Sequence, residues 1–221
     1  MHDPSREHWV MPKMVYISQP TEIGSLYHKD ELAALYAECQ KYGLYLYIDG
    51  ARLGYGLAAT DNDLTLPELA KLCDAFYIGG TKCGALFGEA TVITNPIFKE
   101  DFMTIMKQCG SVLAKGRMLG IQFEVLFSDG LYYRICKRGT QLAMQVKAAL
   151  LAQKIPLVTD STTNQLFVVF PPALYEQISK HFILSYGYKT EKGDIVARIC
   201  TGWATKAEQI DKLCRIITDY K

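Results

Sequence analysis

Two stretches decide the fold of this 221-residue chain: YIDGAR at 47–52 and YIGGTKCGA at 77–85. Each is the tail of an apolar, strand-like run that stops at a polar cluster, the first presenting Asp49 and Arg52, the second Thr81 and Lys82. Charged groups at the ends of buried strands cost free energy unless something there uses them. Upstream, KMVYIS (13–18) reads as a further buried strand, QPTEIGSLY as a loop, and HKDELAALYAECQKYG (28–43) carries the 3.6-residue apolar period of a helix closed by Gly43. A polar stretch and a short helix near TLPELAKLC (65–73) lead into AFYIGG. Strand, helix, strand, helix, strand implies parallel pairing with right-handed crossovers. The link TKCGALFGEA before TVIT (91–94) is too short for such a crossover and predicts an antiparallel return.

From 95 to 153 the pattern is mostly helical, with amphipathic stretches at 117–127 and 131–153. NQLFVVFP (164–171) and DIVARICTG (194–202) then read as strands, with helices around 171–182 and in KAEQIDKLCRIITDY (206–220). A boundary near residue 129 divides the chain into 1–128, carrying the mainly parallel sheet, and 129–221, a smaller α+β unit.

Composition excludes several classes. A formal charge of +1 gives nucleic acid or an anionic membrane nothing to grip. The sequence has no run of about 20 apolar residues and no charged-then-apolar leader, so neither a membrane span nor secretion is expected. Seven scattered cysteines (39, 73, 83, 109, 136, 200, 214) without a C-x-x-C pair read as reduced thiols of a cytoplasmic protein, not as disulfides or a zinc site. Neither G-x-G-x-x-G nor a P-loop is present, which disfavours a nucleotide-binding domain.

Adjacent parallel strands lie a little under about 5 Å apart, so Asp49 and Lys82 are expected side by side at the carboxyl edge of the sheet, where open α/β sheets hold ligands. An amine beside a carboxylate suits pyridoxal 5'-phosphate (PLP): the amine forms a Schiff base with its aldehyde, and the carboxylate keeps its ring nitrogen protonated. Desolvation at that edge, with a cation nearby, favours a neutral, nucleophilic amine. Gly79 and Gly80, lacking side chains, are expected to let the cofactor approach the backbone, with the Thr81 hydroxyl close by.

YIDGARLGYGLA (47–58), FYIGGTKCGALFGEA (76–90), KMVYISQPTEIGSLYHKDELAALY (13–36), LAKGRMLGIQFE (113–124) and ARICTGWAT (197–205) together resemble the threonine aldolase / β-eliminating lyase family of PLP enzymes, which have the aspartate aminotransferase-type fold. The resemblance implies an α/β chain holding part of a PLP-transferase large domain plus a smaller α+β C-terminal domain. It implies a lyase that cleaves threonine or allo-threonine to glycine and an aldehyde, with β-elimination or an inactive assembly subunit as alternatives. Lys82 matches the Schiff-base lysine and Asp49 the partner of the pyridine nitrogen. Arg52 and Arg198 match arginines at the substrate carboxylate, and Arg117 an arginine that reaches the cofactor phosphate from a neighbouring subunit; Arg52 and Thr81 are also expected at the cofactor, and Thr21 at the substrate. A homo-oligomer, dimer or tetramer, taking a small amino acid is therefore expected.

The chain departs from the family in two places. Family members carry, before the strand matching KMVYIS, a glycine-rich phosphate loop and a ring that stacks on the cofactor. The 221 residues contain neither, so an N-terminally truncated, incomplete site with bare strand edges is expected. Thr21 stands where threonine aldolases commonly place a histidine near the substrate hydroxyl, and a threonine cannot replace imidazole as a base near neutrality. His2, His8, His28 and His181 lie in the irregular start or on helical segments and are poor substitutes.

Overall fold

The computed structural model describes residues 6–220. His2 and most of the irregular start lie outside them. Strands β1 (Met14–Ser18), β2 (Tyr45–Asp49), β3 (Ala75–Gly79) and β4 (Glu89–Ile93) form one sheet in that order. β1, β2 and β3 run parallel, and β4 returns antiparallel against β3, as the short 81–90 link requires. The parallel crossovers are α1 (Lys29–Lys41) between β1 and β2, and α2 (Leu53–Leu57) with α3 (Leu66–Leu69) between β2 and β3. Gly43, at φ 64°, turns the chain out of α1.

The two faces of this sheet differ. Val15, Ile17, Leu46, Ile48, Phe76 and Ile78 point to one side and pack with Leu32 and Cys39 of α1 and Leu53 of α2 into the first core. Tyr16, Tyr47, Asp49 and Tyr77 stand on the other side, half-buried or exposed. This alternation is the two-residue period of a strand, and it separates core from chemistry.

Helices α4 (Phe102–Gln108), α5 (Arg117–Phe127) and α6 (Leu131–Ala152) follow, the last two divided by a tight turn at Ser128–Gly130. α6 gives Tyr132 and Cys136 to the first core and Leu142, Val146 and Leu150 to a second. That second core fills the space under an antiparallel sheet ordered β5 (Gln165–Phe170), β7 (Ile195–Cys200), β6 (Ser185–Lys189), with α7 (Pro172–Ser179) and α8 (Ala207–Thr218). Two elements differ from the sequence expectation. β6 is a strand exposed at all five residues, and α2 is a helix built on LGYGL, whose two glycines argue against helix. Among the described residues no helix is long and apolar enough to cross a membrane.

Candidate functional site

At the carboxyl edge of the parallel strands the chain turns sharply twice. A Cβ on Gly79 would lie 2.3 Å from the Ala51 carbonyl oxygen, and one on Gly80 would lie 2.6 Å from that of Gly88. These glycines are therefore required by neighbouring backbone, not by room for a ligand as the sequence suggested. The turns set Asp49 at the end of β2 and Lys82 in the short 3-10 turn Thr81–Cys83 after β3.

Asp49 is enclosed by hydrogen-bond donors. The Tyr16 hydroxyl donates a very short bond to Oδ2, the Tyr77 hydroxyl donates one to Oδ1, and the Ala51 amide reaches Oδ1 at 2.9 Å. Partial burial works against its charge, but the two phenols, the amide and the nearby Lys82 ammonium outweigh it and hold its pKa below the ordinary carboxylate value. Lys82 thus acts electrostatically on Asp49 from the end of the neighbouring strand. The Asp49 bond and partial burial together push the Tyr16 phenol up to about 12.

Lys82 and Arg52 line a single cleft of about 410 Å³. Its far wall is the end of β7 and the segment that follows, 200–205, and Tyr55 of α2 bridges the two walls. The fully buried Tyr55 hydroxyl donates to the Lys82 carbonyl at 2.6 Å and accepts the Trp203 amide at 3.2 Å. Tyr132 of α6 supports the same edge from below: its hydroxyl donates to the Gly79 carbonyl at 3.1 Å and accepts the Gly54 amide at 3.1 Å. Lys82 itself is exposed, so the desolvation expected around its amine is not present in this chain.

Arg198 lines an adjoining cavity of about 250 Å³ that shares Cys200, Thr201, Thr205 and Gln209 with the cleft. Its Nη1 donates to Gln165 Oε1 at 3.2 Å and its Nη2 to Ser185 Oγ at 3.3 Å. Its Nε is buried with no partner among the described residues, as is Oδ1 of the cleft residue Asn164. Such groups cost about 1–3 kcal/mol each when left unpaired, which suits a wall that meets a polar ligand.

Asp49 and the remaining expected site residues do not line the cleft. Thr81 Oγ1 donates to the Gly88 carbonyl at 3.4 Å. The Thr21 hydroxyl is within 2.6 Å of Ser25 Oγ and accepts the Ser25 amide at 3.0 Å. Arg117 is exposed at the first turn of α5, and the cleft is lined without it. His28 stands just before α1, and His181 contacts Lys212 at 3.1 Å. Tyr16, Tyr77, Tyr55 and Tyr132 were not singled out by sequence, because tyrosines in strands and helices read as core, and Asn164 was read only as the start of a strand. The two-residue period that puts Tyr16, Tyr47, Asp49 and Tyr77 on one face was the available signal. No cluster of three or more His, Cys, Asp or Glu fit to hold a metal occurs among the described residues.

A mainly parallel sheet offering an acid and an amine at its carboxyl edge, facing a smaller antiparallel sheet across a cleft, defines the PLP-transferase fold. An aminotransferase from Staphylococcus aureus, only 15% identical, shares that fold with a TM-score of 0.70 over 94% of this chain and 57% of its own. The chain belongs to the beta-eliminating lyase family, whose sequence profile matches residues 2–171. A threonine aldolase from Leishmania major is 40% identical, with a TM-score of 0.93 over 96% of this chain and 62% of that one. A low specificity L-threonine aldolase from a Pseudomonas species is 32% identical over 212 residues, 93% of this chain and 59% of the relative. The chain thus spans about three-fifths of the length of these relatives.

Proposed function

We propose that this chain carries the covalent half of a PLP-dependent, threonine aldolase-type lyase site, acting on a small β-hydroxy amino acid such as threonine or allo-threonine to give glycine and an aldehyde. The observation that carries it is the Lys82 charge acting on Asp49 from the end of the adjacent strand, with Arg52 and Lys82 on one cleft. The residues present fit the cofactor: Lys82 and Asp49 stand at the edge of the parallel sheet, with Arg52 beside Lys82 on the cleft. Arg198 and the unpaired Arg198 Nε and Asn164 Oδ1 lie on the side of the smaller sheet, in the cleft and the cavity adjoining it. PLP bound there supplies an electron sink for the charge left when a bond at the substrate Cα breaks.

The chain's own groups divide the remaining work. Lys82 Nζ is the nucleophile that anchors the cofactor and afterwards carries protons to and from Cα. Asp49 holds a proton on the ring nitrogen, because a carboxylate kept ionised favours the protonated form of a nearby base. Arg52 and Arg198 grip the substrate carboxylate from the two walls, and a guanidinium fork suits that planar anion. Thr81 adds a hydroxyl at the cofactor, and Arg117 serves the phosphate of a neighbouring copy. A homo-oligomer, dimer or tetramer, is part of this proposal, supported by the exposed apolar row Met118, Ile121 and Val125 along α5. A cytoplasmic setting is supported by seven free cysteines, of which four are buried. A division into units 1–128 and 129–221 is supported by the turn at Asp129 and Gly130 and by the separate second core, with the first turns of α6 reaching back into the first core.

One observation favours a second reaction on the same site. Thr21, at the position expected for a base near the substrate hydroxyl, is engaged with Ser25. Without that base, loss of a β-leaving group becomes the competing outcome, and Thr21 is then only a loop contact. Incubating the chain and PLP separately with threonine and with a β-substituted alanine distinguishes the two. Acetaldehyde absent from Lys82→Ala supports the aldolase, pyruvate supports elimination, and neither product overturns both.

A further inference from the structure

We infer that Tyr16 and Tyr77 are positioning residues for Asp49: from the strands on either side they fix its carboxylate in place and leave one acceptor position, on Oδ2, for the N–H of a protonated nitrogen heterocycle. The ligand half of this inference rests on the function proposed above; the orientation of Asp49 stands on geometry alone.

An ionised carboxylate offers about four lone-pair positions. On Oδ1 both are taken, by the Tyr77 hydroxyl and the Ala51 amide. On Oδ2 one is taken, by the Tyr16 hydroxyl. The carboxylate therefore cannot rotate to offer Oδ1 to a ligand without breaking two bonds, and the open position on Oδ2 has a fixed direction. Tyr47 holds the tyrosines in register: its ring stacks on Tyr16 at 5.5 Å and 21° and tilts against Tyr77 at 6.4 Å and 40°. It makes no bond to Asp49, so it serves packing where its neighbours serve orientation. The charged groups facing this cluster are Lys82, which acts on Asp49, Glu22, which acts on Tyr16, and Glu89, which acts on Tyr77. A carboxylate locked in this way stays charged and aimed before any ligand arrives, so little reorganisation is left for binding.

The test is a carbon-13 NMR titration of the Asp49 carboxyl group in the full chain, comparing wild type with Tyr16→Phe, Tyr77→Phe, the double variant and Tyr47→Phe. The midpoint is expected below the ordinary aspartate value in wild type, higher in each single Tyr16 or Tyr77 variant, and highest in the double variant, where burial is opposed only by the Ala51 amide and Lys82. Tyr47→Phe is expected to leave it unchanged. A double variant that titrates like wild type overturns the inference, as does an equal response to Tyr47→Phe. Should the double variant fail to fold, Tyr16→Phe decides alone, because that residue is 54% exposed and stands on the face opposite the core. A visible absorption band on adding PLP is read separately: the expected titration without a band supports the orienting role and overturns the proposed function.

Discussion

The two faces of the four-stranded sheet are built from the same strands, one residue out of phase, and do opposite things. One face buries Leu46, Ile48 and Phe76 almost completely and is held by hydrophobic burial. The other carries Tyr16, Tyr47, Tyr77 and Asp49, where bonds between polar groups fix directions without contributing a comparable core. The lesson is that in a short strand each alternate residue is free to serve chemistry only because its neighbours are committed to the core. A one-residue slip in register would exchange the two roles.

The largest expected effect breaks that comparison from the core side. Phe76→Ala, at a residue 2% exposed, is expected to destabilise the chain by about 3–5 kcal/mol, through lost transfer energy and a cavity. Tyr47→Ala on the opposite face is expected to cost less than half as much; denaturant unfolding of both variants measures the ratio, and equal losses would erase the distinction between faces. Next comes the support beneath the edge. Tyr132→Phe removes one hydroxyl that serves both Gly79 and Gly54 in a fully buried setting, and about 1–3 kcal/mol of stability should be lost.

The smallest effect sharpens the polar face. Asp49 has a pKa below its reference value of 3.8 in the folded chain. Its contribution to stability is therefore complete above the unfolded-state pKa and disappears as pH falls through the folded value. Asp49→Asn should flatten the stability profile in that acid window and nowhere else, as read from unfolding midpoints at a series of pH values. A flattening near neutrality instead would assign the effect to another group.

How much of this was legible in the sequence follows from the same contrast. The parallel strands, the antiparallel β4 and the long helices were readable, because each buries one face with a clear period. β6 was not: SYGYK buries none of its five residues, and a register irregularity between Tyr186 and Tyr188 breaks its alternation. α2 was not either, since LGYGL is helical through packing against α6 and β3 in spite of its glycines. At the site, Asp49, Lys82 and Arg52 announced themselves as charges at strand ends. Tyr55 and Tyr132 did not, because their hydroxyls act on backbone groups far along the chain, at Lys82, Trp203, Gly79 and Gly54. Long-range bonds to backbone leave no spacing for a sequence to display.

The most direct measurement is chemical trapping. PLP is added to the chain, borohydride reduces whatever amine holds it, and proteolysis with mass spectrometry locates the label. Lys82 carrying the label in a one-to-one ratio, with labelling lost in Lys82→Ala and weakened in Asp49→Ala, is the predicted result. A label spread over surface lysines and indifferent to both substitutions would contradict a site built from these two strand ends.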